Sequence, residues 1–307
     1  MHMADALISP CVGGTMLAVS AGLLGYSLRQ TRTENTGQAA ALSGVLGAFV
    51  FAVQMINFTI PGTGSSGHLG GALLLAILLK PFRAFITMAA ILLLQALLFA
   101  DGGLLAYGCN VFNMSFFACF IAYPLIYQPL VRSGETSKKI LAASLFAGII
   151  GTELGAFAVV LETTCSGIVQ LPFKTFAALM LPIHLVIGLA EGLATGSILA
   201  FLREQKPDLF SSAQTAGPKA YLGLGAAALF ISGGLSLAAS DLPDGLEWSV
   251  FKIAGAAFEL PASLQAPFTD YTLAESTALA GIAGVILTAL FVFAIMRLLH
   301  KRKASSV

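Results

Sequence analysis

The chemistry most directly visible in this sequence lies at its first two residues and among its four histidines, His2, His68, His184 and His300. With a free amine on Met1, the Met-His start presents three nitrogens in series: the amine, the deprotonated His2 amide and His2 Nδ1. Amine and amide close a five-membered chelate ring on a cation, amide and imidazole close a six-membered one, and the planar peptide unit holds all three near one plane. One further imidazole completes a square-planar set of four nitrogens, a geometry that points to Ni(II) or Cu(II). The chelate needs Met1 to be retained, as a penultimate residue as large as His should ensure. His68 follows a Gly- and Ser-rich loop, NFTIPGTGSSGHLGG at 57–71, where Gly67, Gly70 and Gly71 permit close backbone approach. Something small is expected to be held there. The competing readings are an ordinary Met-His start and an unremarkable loop histidine.

Glu153, His184 and Glu191 fall inside apolar runs, where an ionisable group costs a few kcal/mol even on lenient scales. His184 and Glu191 are seven residues apart, on one helix face two turns from each other. They suit either a structural polar network or an ion pathway that supports a binding site. His300 lies in the closing HKRK tail and reads as a solvated residue.

These groups must be positioned by membrane helices. Of the 307 residues 57% are hydrophobic and 10% charged, whereas a soluble domain carries about 25% charged residues. The net charge of +1 offers no basic stripe, which argues against nucleic acid. Cys11, Cys109, Cys119 and Cys165 lack metal-type CxxC spacing and read as small buried hydrophobes. No Lys or Arg precedes the first apolar run, so a cleaved secretory signal is not expected.

At about 20 apolar residues per span, the segments are 11–29, 39–60, 69–79, 82–100, 107–130, 140–161, 173–202, 220–239 and 276–299. The expected fold is all-α, a polytopic membrane helical bundle of seven spans plus a two-span C-terminal unit. The 69–79 segment is short, which suggests a helix starting partway into the membrane after irregular backbone, tolerated only where protein buries it or it lines a cavity. With the N-terminus outside, 14 of the 16 basic residues fall inside, leaving Lys174 and Lys252 outside, as the positive-inside rule asks. The C-terminus is then cytoplasmic. The polar stretch 203–219, with two prolines, reads as a cytoplasmic linker between a domain at 1–202 and another at 220–307. Gly44, Ala48 and Ala52 show the four-residue spacing of small residues that lets membrane helices approach.

MHMADALISP, QMINFTIPGTGSSGHLGG, LLLQALLFADGGLLAYGCNVFNM and HLVIGLAEGL, in order across 1–193, resemble the CbiM/NikM family. These are the substrate-binding membrane subunits of energy-coupling-factor (ECF) transporters for nickel and cobalt. The external PDGLEW stretch resembles the PDGLE domain, a NikN-type small subunit, fused here as in NikMN proteins. The resemblance implies a seven-span S-component-like fold and metal ligation by the Met1 amine, the His2 amide and imidazole, and His68. It also implies supporting roles for Asp5, Asn57 and Ser66, whose oxygens would orient an imidazole, and for Asp101, Asn110, His184 and Glu191. This chain departs from the common MHIPDG start with Met3, Ala4, Asp5 and Ala6, and GTGSSGH carries an apparent extra residue. The ligands survive both changes.

The cargo implied is Ni(II), or Co(II) for cobalamin synthesis, with no organic cofactor. The location implied is the inner (plasma) membrane of a prokaryote, amid lipid. No GxxxxGK[ST] phosphate loop is present, so the chain is read as a non-enzymatic transport subunit. Energy would come from a transmembrane coupling subunit and two cytoplasmic ATPases. Two other classes compete. An intramembrane hydrolase would use Ser66 with His68 or His184, but GxSxG and HExxH are both missing. An ion-driven secondary transporter would use Glu153 and Glu191 as a relay.

Overall fold

The computed structural model describes residues 1–31, 37–132, 134, 136–205, 217–255 and 265–304, with main chain alone at 270 and 299–304. Arg32, the middle of the expected linker (206–216), residues 256–264 and the His300 side chain lie outside the described residues.

The chain is a polytopic helical bundle. Among the described residues eight helical stretches are long and apolar enough to cross a membrane. They are α1 (Pro10–Thr31), α2 (Gly37–Gln54), α4 (Pro81–Leu94) continued by a π-helical turn to Phe99, α5 (Tyr107–Val111) continued through a π-helical stretch to α6 (Gln128–Val131), α7 (Ser137–Ser166), α8 (Phe173–Gln205), α9 (Pro218–Gly233) continued to Ala238, and α11 (Thr277–Ala304). Two shorter helices, α3 (Ala72–Leu79) and α10 (Gly245–Ala254), complete the set.

The expected 39–60 segment breaks at Gln54. Its apolar run beyond that point, Phe58–Ile60 (β1), pairs antiparallel with Ser65–Gly67 (β2) in the register Phe58↔Gly67 and Ile60↔Ser65. Pro61 and the positive-φ Gly62 and Gly64 turn the chain between them. The helix α3 that follows is about 12 Å long at 1.5 Å per residue, less than half of a hydrocarbon core. It can sit at that depth because protein encloses it: seven of its eight residues are buried, Ile77 excepted. It starts at Gly71 (φ 76°), where a Cβ would lie 2.5 Å from Val50. It ends at Lys80 (φ 66°), and Pro81 starts α4 directly.

Among the described residues α7 and α8 are the most extensively packed helix pair. Gly188, Gly192 and Gly196 repeat every four residues on α8, and a Cβ at these positions would lie 2.5–2.9 Å from main-chain atoms of α7. The small residues of α2 face the C-terminal unit: a Cβ on Gly44 would lie 2.7 Å from the Ala289 carbonyl of α11. The C-terminal helices thus pack along α2, and α10 between them packs against α8 and the β2 strand. Of the cysteines, Cys109 and Cys119 are buried, as expected, but Cys11 and Cys165, at the ends of α1 and α7, are exposed.

Candidate metal centre

The N-terminal residues run extended into the end of the bundle that carries the hairpin and are clamped there. Met3 is fully buried, its N–H donates to Asn110 Oδ1 (2.7 Å), and its carbonyl accepts from Asn110 Nδ2 (3.1 Å) and the Gly103 amide (2.8 Å). Asp5 Oδ1 accepts from the Ala106 N–H at 2.9 Å. These bonds fix Met1 and His2 against the hairpin loop. Among the described residues no acceptor takes the His2 N–H, so the amide nitrogen that chelation needs is uncommitted.

Three expected ligands converge. The Met1 amine lies 3.4 Å from His68 Nε2, and the His2 and His68 rings stack with centroids 5.1 Å apart and planes 23° from parallel. His68 Nδ1 faces the Leu69 carbonyl at 3.2 Å. That contact assigns the proton to Nδ1 and leaves the Nε2 lone pair turned to the amine. His2 Nδ1 is instead 3.2 Å from Asp101 Oδ1, and its Nε2 is 3.3 Å from Gln95 Oε1. Chelation through His2 Nδ1 therefore requires the ring to turn from Asp101 toward the amine. Among the described residues no three His, Cys, Asp or Glu side chains cluster as a metal site. A chelate at Met1 and His2 would add main-chain nitrogen to the side-chain donors.

The remaining expected residues divide by position. Asp101 touches His2 directly, and its other oxygen accepts from the Tyr271 hydroxyl at 2.5 Å. Glu191 holds the loop, with one oxygen accepting from the Gly70 N–H (2.8 Å) and the other from the Gly71 N–H (2.9 Å). Asn57 lines the same cavity as His2 and His68. The orienting contacts expected of Asp5, Asn57 and Ser66 are made by Asp101, Gln95 and the Leu69 carbonyl. Ser66 binds the C-terminal unit, donating from Oγ to Leu242 O (2.7 Å) and from its N–H to Pro243 O (2.8 Å). His184 sits deeper on α8, its Nδ1 donating to Met180 O at 2.8 Å.

Asp244 was not legible as a site residue. Its Oδ2 accepts from the Met1 amine at 2.8 Å, while Oδ1 caps α10 by accepting from the Leu246 and Glu247 amides. Asp244 and Glu247 form a capping box, and D-G-L-E is a readable signature of one, but nothing in it says what the cap's second oxygen will face. Gly245 is required beside it, because a Cβ there would lie 2.7 Å from Ile183 and 2.9 Å from His184.

A cavity of about 480 Å³ reaches His2 and His68, with Asp101, Asp241, Asp244 and Glu247 in its walls. Burial holds the His2 imidazole below its ordinary value and takes His68, with help from the Met1 ammonium, down to about 3. Both rings are neutral bases near pH 7. Burial alone would raise Asp244, but the adjacent Met1 ammonium outweighs it and keeps the carboxyl well below the usual range. Glu247 is pushed up to about 6 by burial and the neighbouring Asp244 carboxylate.

Residues 2–209 match the CbiM family, described as the cobalt uptake substrate-specific transmembrane region, and residues 218–301 match the PDGLE domain. The chain belongs to the CbiM family. It is 31% identical over 97% of its length, and 98% of the relative's, to a putative fused nickel transport protein NikMN of Archaeoglobus fulgidus. It is 30% identical over 70% of its length, and 96% of the relative's, to the cobalt transport protein CbiM of Sorangium cellulosum. A crystal structure of a transition metal transporter superposes with a TM-score of 0.60 at 28% identity, covering 68% of this chain and 96% of that one.

Proposed function

We propose that the chain is the substrate-capture subunit of an ECF importer, binding Ni(II) through the Met1 amine, the His2 amide, His2 Nδ1 and His68 Nε2. The observation that carries this reading is the convergence of the Met1 amine and two stacked neutral imidazoles, with an uncommitted amide between the first two donors. Amide and amine must both lose protons to bind, so capture releases protons. Asp101 and Asp244 hold the donors before capture, and Asp5, Asn110, Glu191, Asn57 and Ser66 fix the strand and loop that carry them. In this reading residues 1–202 form the metal-binding domain, 203–219 a linker, and 220–307 a PDGLE domain that covers it.

The site opens outward, with the N-terminus outside and the C-terminus cytoplasmic in a prokaryotic inner membrane, supported by the 14 basic residues that then face inward. A transmembrane coupling subunit and two ATPases supply the motion that reopens the site toward the cell. Nickel is favoured because the relative matching nearly the whole chain is named for nickel transport. The same donors suit Co(II), the second reading, which the cobalt-named relative supports.

The test is uptake of radioactive nickel by cells making the chain with its coupling subunit and ATPases. Uptake should stop when the ATPases lose their phosphate-binding lysine. Uptake that persists on an ion gradient alone would overturn the reading in favour of a relay through Glu153 and Glu191.

A further inference from the structure

Beneath the Met1 amine and His68 lies a second, smaller cavity of about 50 Å³ that also meets Thr152, His184, Glu191 and Asp244. His184 is fully buried on α8. Its Nδ1–H is committed to the Met180 carbonyl one turn back, which fixes the tautomer and leaves Nε2 as a bare lone pair on the opposite side of the ring. Nε2 is buried and has no hydrogen-bond partner. An orphaned buried acceptor costs about 1–3 kcal/mol, a cost that stands unless something occupies the cavity beside it. The Asp244 and Glu191 carboxylates in the same walls favour a cation as that occupant. A cavity this size holds only a few water-sized groups, enough for one ion with a partial water shell.

Resting on the capture reading above, we propose that His184 Nε2 is the nitrogen ligand of a second, inner station. There a divalent transition metal ion rests after it leaves the outer chelate. The two stations share His68 and Asp244 in their walls, so the ion passes between them along polar side chains. The inner station offers the His184 imidazole, while the Glu191 and Asp244 oxygens around it are already bonded to main-chain amides and the Met1 amine, in place of four nitrogens. It is therefore the weaker of the two, as an ion bound for release requires.

The test uses full-length protein in detergent, titrated with Co(II), and nickel uptake in cells. His184→Asn keeps an amide donor for Met180 O but removes the Nε2 donor. It should leave tight metal binding within about threefold of wild type and lower ATPase-dependent uptake at least tenfold. In His2→Ala protein, where the outer chelate is broken, a weaker Co(II) site should persist, and His2→Ala/His184→Asn should abolish it. Wild-type uptake by His184→Asn would overturn the inner station. So would equal residual Co(II) binding by the single and double variants, or loss of tight binding in His184→Asn alone, which would make His184 a packing residue. Failure of the capture reading is separately visible, as undiminished tight binding in His2→Ala.

Discussion

Asp244 accepts a 2.8 Å hydrogen bond from the Met1 amine across 243 positions of sequence. The pair ties the start of the chain to the cap of α10 in the C-terminal unit, so that unit reaches the proposed metal site.

Two substitutions separate the carboxylate's roles. Asp244→Asn keeps a good cap for α10 but loses the charged partner of the amine, and should cost about 2 kcal/mol, the scale of a hydrogen bond to a charged group. Asp244→Ala also loses the cap, at about 1 kcal/mol more. Thermal unfolding in detergent should therefore rank wild type above Asp244→Asn above Asp244→Ala; equal midpoints for the two variants would remove the cap from the explanation.

Gly245→Ala tests the same junction from the other side. The added methyl would sit 2.7 Å from Ile183 and 2.9 Å from His184, so α10 must move off α8, with an overpacking cost of about 1–3 kcal/mol. The movement draws Asp244 from Met1. Zero-length carbodiimide coupling of the Met1 amine to the Asp244 carboxyl, read by mass spectrometry, should give less product in Gly245→Ala protein than in wild type.

Glu191→Gln should loosen the His68 loop. A carboxylate gives each of the Gly70 and Gly71 amides its own oxygen, but an amide has only one, and one N–H is left without an acceptor at about 1–3 kcal/mol. Nickel affinity, read by calorimetry, should drop about tenfold, within the range of losses when a residue supporting a metal ligand is changed. Unchanged affinity would detach the loop from the site.

Stability should fall on mild acidification. His68 in the folded protein is depressed to about 3 and His2 is lowered as well, against about 6.5 in the unfolded chain. Below pH 6.5 the unfolded chain takes up protons first, so stability present above that pH is lost as pH falls toward 3, at up to about 1.4 kcal/mol per unit for each ring. The depressed Asp244 has the opposite sense: it stabilises above the ordinary carboxyl value and loses that only in stronger acid. Between pH 7 and 5 the melting temperature should therefore drop, and His68→Gln should flatten the slope.

Much of this was legible because a low-charge membrane chain makes each polar group conspicuous. His2, His68 and the short helix α3 stood out in sequence, and the structure brings the two histidines together. The break at Gln54 was hidden because Phe58–Ile60 continues the apolar run, although Pro61-Gly62 marks the turn that makes it a strand. Asp101 was identified only through a motif, without its role. Gln95, Tyr271 and Asp244 were missed because their parts in the site come from tertiary contacts spanning 93 to 243 positions. Asp5 and Ser66 misled in the opposite way: close in sequence to the ligands, their oxygens are spent on main-chain partners.

The central claim is that the Met1 amine is a metal ligand, and it is tested most directly by Ni(II) binding to purified protein with its native Met1 start and with one or two residues added before Met1. The account predicts that extension converts the amine to an amide and collapses affinity by more than a hundredfold, as should His2→Ala and His68→Ala. Nickel binding by the extended protein with unchanged affinity would contradict it.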